Sequence, residues 1–350
     1  MAPLSVTGLD KIKVVVALSR AVCNGWVNLL LLRGPRSKGL LRRFLYGVLR
    51  SFTGNNTIQG DKATGGTSEQ TYLDVAKQRG FQPDTLVLKD GLKAHWIGPK
   101  NAERVLLYFH GGGYVLAAGP GHVNWLYRWT REASKEKSTS ALMLSYTLAP
   151  DAQYPTQLQQ AAEVLNYLLT EAGKRPSQII IGGDSAGGNL AVALLSHLLH
   201  PHSKVLPVNL SEPLAGALLI SPWIEFSPKD ALFRANMYYD MIGEKAANKW
   251  SKAFLGDAKL DEYTQPADAD SAWFSELPSK VNRIYVYGGA KEVLIGSINA
   301  FTDKLRSVHS NVEYLVEENA VHADFIVDGA FGYTDYTEGT TKIQQWLTSV

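Results

Sequence analysis

A chain of 350 residues with 45% hydrophobic and 19% charged positions has the make-up of an ordinary globular protein. It is long for one core and short for two independent domains, so one large domain with an accessory lobe is expected. A net charge of +2 and a single cysteine, Cys23, give no field to hold a nucleic acid and no intramolecular disulfide, and an intracellular, cytoplasmic location is expected.

The chain opens on an apolar stretch, Val14 to Leu32, interrupted by Arg20, Asn24 and Asn28. Three polar breaks argue against a span that needs about 20 apolar residues. No small-residue cleavage site follows a short apolar core, as it would in a secretory signal. An amphipathic helix is expected instead. Leu41, Phe44, Leu45, Val48, Leu49 and Phe52 then recur at helical spacing, while Arg42, Arg43 and Arg50 take other faces. Such a helix serves as a lid over an apolar site or lies on a membrane surface; the lid is the preferred reading, and peripheral membrane contact is left open. Gly54 to Ser68, rich in Gly, Thr and Asn, reads as a loop.

Short strands are expected around Thr85 to Leu88 and Lys93 to Ile97, separated by the turn signal Lys89-Asp90-Gly91. From Val105 onward apolar strand runs alternate with helical patterns. Strands are expected at Val105 to Phe109, Ala141 to Ser145, from Ile179, and at Ala215 to Ile220, with helices after His122, Pro155 and Ala186. That alternation is the sequence form of an α/β fold, a mostly parallel sheet flanked by helices. From Trp223 to about Ser271 the rhythm breaks into a segment with Met237, Tyr238, Tyr239, Met241, Trp250 and Phe254, too long for a simple connection. It reads as a helical insertion that pairs with the N-terminal helices as a lid. The strand pattern resumes at Arg283 to Tyr287 and Val312 to Val316, with helices from Leu294 and near Thr341 to Leu347.

Two strand ends run into glycine: His110-Gly111-Gly112-Gly113-Tyr114 and Gly183-Asp184-Ser185-Ala186-Gly187-Gly188. The second places Ser185 at the apex of G-x-S-x-G, a strand-to-helix turn that exposes a nucleophile before a positive helix end. A phosphate loop is the rival reading, but the lysine of G-x-x-x-x-G-K-[ST] is missing, and Gly119-Pro120-Gly121 does not complete a dinucleotide motif. A serine hydroxyl needs a base. His197, His200, His202 and His309 sit on or beside helices and read as surface or capping residues, whereas His322 follows the last strand and is the candidate base. Glu292, after the preceding strand, is the candidate acid that would fix the imidazole, with Asp324 the alternative. The N–H groups of Gly111, Gly112 and Ala186 are the candidate oxyanion donors. His110 reads as a residue that holds its own loop. Trp223 and Tyr114 are candidate substrate contacts, which points to an apolar acyl or alcohol group.

Together, His110-Gly111-Gly112-Gly113-Tyr114 and Gly183-Asp184-Ser185-Ala186-Gly187-Gly188, with Tyr146-Thr147-Leu148-Ala149-Pro150-Asp151 and Tyr154-Pro155 between them, closely resemble the hormone-sensitive-lipase family of α/β-hydrolases. Thr147, Asp151 and the acid Glu292 in place of Asp are departures from the family pattern. The resemblance covers about residues 85 to 349. It implies an α/β-hydrolase core at 71–222 and 276–350, with a helical cap built from 1–70 and the insertion 223–275. It also implies a carboxylic-ester hydrolase acting on a small-molecule ester through Ser185, Glu292 and His322, without cofactor or metal, as a monomer or homodimer. The rival readings are a non-hydrolytic acyl transfer, cyclisation or elimination in specialised metabolism, and a ligand-binding module that has lost catalysis; the presence of His322 together with the Ser185 turn weighs against the module.

Overall fold

Residues 7–31, 33–35, 38–333 and 337–350 are described by the computed structural model. Helix α1 (Gly8–Leu30) starts at Thr7, whose hydroxyl accepts the Asp10 N–H at 3.2 Å while the Asp10 carboxylate accepts the Thr7 N–H at 2.9 Å. Arg20, Asn24 and Asn28 do not break it. Asn24 and Asn28 turn toward α2 (Gly39–Asn55), donating to Ser51 Oγ at 2.8 Å and to the Arg43 carbonyl at 3.0 Å. By length and composition alone, α1 is long and apolar enough to cross a membrane. Ile12, Val15, Val22, Trp26 and Leu30 on α1 remain exposed.

The loop expected from Gly54 to Ser68 is instead mostly helix. α3 (Ile58–Gly65) begins at Thr57, whose hydroxyl accepts the Gly60 N–H at 3.0 Å, and α4 (Ser68–Arg79) begins at Thr67, which accepts from Gln70 at 3.1 Å. Two threonine caps outweigh a composition that reads as turn.

Among the described residues eight strands form one sheet: β1 (Asp84–Val87), β2 (Lys93–Ile97), β3 (Arg104–Phe109), β4 (Thr139–Ser145), β5 (Ile179–Asp184), β6 (Gly216–Ile220), β7 (Ile284–Gly289) and β8 (Val312–Glu317). Their spatial order is β1-β2-β4-β3-β5-β6-β7-β8. β2 is antiparallel to both its neighbours and every other pair is parallel. Strands covered on both faces must be apolar on both. Val105, Leu107 and Phe109 of β3 join Ile179 and Ile181 of β5 in one core, and Leu106, Tyr108 and Ile180 join a second. α5 (Pro120–Ala133) closes the second core; α6 (Thr156–Thr170) and α7 (Ala186–Leu199) close the first.

Between β6 and β7 the insertion carries α8 (Ala231–Asn236) and α9 (Glu244–Leu255). α9 packs against α2 and α3. Fully buried Asp61 on α3 fastens them: it accepts the Trp250 indole N–H at 2.8 Å and pairs with Lys249 at 2.6 Å. The chain ends with α10 (Ile295–Val308) on the first core, and α11 (Asp324–Ala330) and α12 (Glu338–Ser349) on the second. Gly111, Ser185, Ser221, Glu292 and His322 all follow the carboxyl ends of parallel strands, the edge where open α/β sheets form their sites.

Candidate active site

Ser185 joins β5 to α7 with φ 53° and ψ −117°, a conformation that strains any residue with a side chain. Its surroundings over-determine it. The Ser185 N–H donates to the Ile220 carbonyl at 2.9 Å, and the Ser185 carbonyl accepts from Trp223 at 2.9 Å and Asn189 at 3.0 Å. Glycine at 187 is obligatory, since a Cβ there would lie 1.9 Å from the Phe109 carbonyl oxygen. The hydroxyl therefore stands at the N-terminal, positive end of α7.

His322 Nδ1 donates to Glu292 Oε2 at 3.0 Å, and Glu292 Oε1 accepts the Gly289 N–H at 3.2 Å. The glutamate is wholly buried and the imidazole nearly so. With its proton on Nδ1, His322 has Nε2 free to accept one. Burial opposes charge on His322, but the hydrogen bond and charge of Glu292, with Asp240 and Asp184 beyond, raise its pKa above the ordinary 6.5. Asp324 does not reach this imidazole. It opens α11, where it pairs with Lys38 at 2.7 Å. Burial, opposed by Lys38 and reinforced by Asp328 and Glu317, lifts its pKa to about 6.

Ser185 and His322 line one narrow cavity with Gly113, Trp223, Trp250 and Leu294, enclosing about 20 Å³, roughly room for one water. Trp223 thus stands where a substrate contact is expected. Tyr114 does not: it is buried, its hydroxyl donates to Asn189 Oδ1 at 2.6 Å, and its ring stacks on Phe254 at 3.8 Å. A left-handed backbone, φ 62°, turns it into the core.

The glycine loop also departs from expectation by one residue. The Gly111 N–H donates to Asp184 Oδ1 at 2.9 Å, so it is not free for a ligand. The N–H groups of Gly112, Gly113 and Ala186 have no protein acceptor among the described residues. Asp184 also accepts from the Tyr108 hydroxyl at 2.7 Å and from His122 Nε2 at 3.3 Å. Burial would raise its pKa, yet His122, Tyr108 and the Gly111 amide hold it below the usual carboxylate value. His110 holds the loop as expected: Nδ1 donates to the Gly111 carbonyl at 2.7 Å, Nε2 accepts from Ser68 at 3.3 Å, and the ring stacks on Tyr146 at 4.3 Å. Desolvation, with His122 nearby, drops its pKa to about 4, so it is neutral. His197, His200 and His309 bind the Leu206, Trp273 and Val281 carbonyls, which keeps them structural.

Residues 106–326 match the family model for the α/β-hydrolase fold. The chain belongs to the α/β-hydrolase family. This α/β-hydrolase is 27% identical over 216 residues to an esterase of Acinetobacter venetianus, covering 61% of the chain and 65% of the relative. It is 32% identical over 154 residues to an acetyl-hydrolase of Streptomyces hygroscopicus, covering 43% and 47%. The chain thus spans between about half and two thirds of the length of these curated relatives. An esterase of the bacterial hormone-sensitive lipase family shares the fold, with a TM-score of 0.63 at 24% identity over 81% of this chain and 90% of that one. The resemblance drawn from the two glycine motifs holds.

Asp184, Asp240 and Asn236 have no role in the reading of the sequence alone. A carboxylate inside the fully buried β5 was a signal for the first; nothing local pointed to the other two.

Proposed function

We propose that the protein is a serine hydrolase that cleaves carboxylic esters of small apolar molecules. The observation that carries this reading is that His322, hydrogen-bonded to Glu292, lines one cavity with Ser185. Ser185 Oγ attacks the acyl carbon as His322 Nε2 takes its proton, and Glu292 stabilises the imidazolium. The oxyanion is received by the N–H groups of Gly112, Gly113 and Ala186. His322 protonates the leaving alcohol; water, deprotonated by the same imidazole, then releases the acid. So narrow an aromatic-walled cavity leaves no room for a long acyl chain, and a short one such as acetyl is the reading adopted, in keeping with the name of the Streptomyces relative.

In this reading residues 1–70 and 223–275 form a cap on the core at 71–222 and 276–350. Turnover of p-nitrophenyl acetate by the wild-type chain and its loss in Ser185→Ala tests the proposal; absence of turnover in the wild type, or its persistence in the variant, overturns it.

The partner of the exposed face of α1 is, in the same reading, an anionic lipid surface. Lys11, Lys13 and Arg20 are exposed on α1 itself, and Ile12, Val15, Val22 and Trp26 are bare on the same helix. An apolar stripe flanked by cations is the chemistry of an interfacial helix.

A further inference from the structure

Asp240 lies in the insertion, far in sequence from both members of the His322–Glu292 pair, yet it holds the backbone N–H of His322 and that of Val293, the residue after Glu292. It is fully buried. Its Oδ1 accepts the N–H of Met241 at 2.7 Å and of His322 at 3.2 Å, and Oδ2 accepts the N–H of Val293 at 2.7 Å. Asn236, which ends α8, grips the same loop from its other side, with Nδ2 donating to the carbonyls of Ala290 at 3.0 Å and Glu292 at 2.9 Å. The Asp240 N–H in turn donates to the Asn236 carbonyl at 3.1 Å. The acid loop and the histidine loop are therefore tied to one another through the insertion.

The tie continues outward. Arg50 on α2 donates from Nη1 to the carbonyls of Asp240 at 2.5 Å and Tyr238 at 3.1 Å, and from Nη2 to Asn28 on α1 at 2.8 Å. One side chain thus joins both N-terminal helices to the residue that holds His322 and Glu292 in register.

We propose that Asp240 is a positioning residue that sets the Glu292–His322 geometry, and that Arg50, by fixing the Asp240 backbone, makes that geometry depend on the seating of the N-terminal helices. The proposal rests on the hydrolase reading above. A displacement of a general base by about 1 Å costs on the order of 100-fold in rate, so a clasp made of backbone hydrogen bonds on both loops is sufficient to govern turnover. It also gives a route by which anything bound at α1 and α2 alters catalysis without touching the substrate.

The charged groups facing His322 are Glu292, Asp240 and, farther off, Asp184. Those facing Asp240 are His322 and Glu292, with Arg50 at its carbonyl. Removing the Asp240 charge therefore removes support for the imidazolium.

The test is steady-state kinetics on the full chain with p-nitrophenyl acetate across pH, for Asp240→Asn, Arg50→Ala and Arg50→Lys, with circular dichroism to verify folding. Expected are a fall in kcat of about 100-fold in Asp240→Asn with KM nearly unchanged, and a shift of the acid limb of kcat/KM to lower pH. Arg50→Ala, at a side chain that is not itself part of the cavity lining, lowers kcat in the same sense, and either Arg50→Lys or added guanidinium recovers part of it. Folded Asp240→Asn and Arg50→Ala with wild-type kcat and an unmoved acid limb would overturn the proposal. Should Asp240→Asn fail to fold, Arg50→Ala decides alone: wild-type kcat, or a loss that neither lysine nor guanidinium recovers, overturns it. An inactive wild type would instead indict the hydrolase reading.

Discussion

The carboxylate of Asp184 holds the Gly111 N–H at 2.9 Å. The residue immediately before Ser185 thus shapes the glycine loop, and the free amides move on to Gly112 and Gly113. Asp184→Asn puts an amide where three donors converge, from Tyr108, His122 and Gly111. Disordering the loop costs about as much as removing an oxyanion donor, so kcat is expected to fall about 100-fold or more, measured with p-nitrophenyl acetate at saturation. KM should change little.

Glu292 and Asp324 are separated by a paired comparison. Glu292→Gln leaves His322 without its carboxylate and should lower kcat by about 10³- to 10⁴-fold. Asp324→Asn disturbs the contacts with Lys38 and the Val321 N–H but leaves the Glu292–His322 hydrogen bond in place, and should leave kcat near wild type. The reverse ranking would return Asp324 to the role of acid.

The pH profile follows from the raised pKa of His322. The base accepts a proton from Ser185 only when neutral, so kcat/KM should fall as pH drops through the His322 pKa, with its midpoint above the ordinary 6.5. The buried glutamate is the main support of that charge, so Glu292→Gln should move the residual profile to lower pH. Measured profiles with identical midpoints would contradict this assignment.

Trp250 packs against Gly113, where an added Cβ would lie 2.3 Å from its ring, and forms part of the cavity wall. Trp250→Ala should raise the ratio of kcat/KM for butyrate over acetate esters by about 10-fold or more. An unchanged ratio would remove Trp250 from the acyl wall.

The lipid reading of α1 is checked by co-sedimentation with vesicles of phosphatidylcholine and phosphatidylserine. The wild-type chain should pellet at low salt, and less at high salt. Ile12→Glu and Val15→Glu, at exposed positions of α1, should keep it in the supernatant with esterase turnover unchanged. A wild type that never pellets contradicts the reading.

What the sequence revealed and what it hid have a common physical basis. Ser185, Glu292 and His322, the residues of the proposed site, each follow a strand run, so local pattern and chain order single them out. Gly111 was misread because glycines show where backbone is free to turn but not which amide a neighbouring carboxylate has taken. Tyr114 beside the glycines looked like a ligand contact, and only the left-handed turn beneath it sends the ring into the core. Arg50, Asp61 and Asp240 were invisible: their partners are 190, 189 and 82 residues away, and no window of sequence contains both ends. The two threonine caps at Thr57 and Thr67 were legible but were outvoted by the glycines around them.

The central claim is that Ser185 carries the acyl group between two half-reactions. Rapid acid quench of the wild-type chain with p-nitrophenyl acetate, followed by intact mass and peptide mapping, tests it most directly. The account predicts one acetyl group per chain, on the peptide containing Ser185 and absent in Ser185→Ala. An acetyl group on another residue, or turnover that proceeds without any adduct and survives Ser185→Ala, would contradict it.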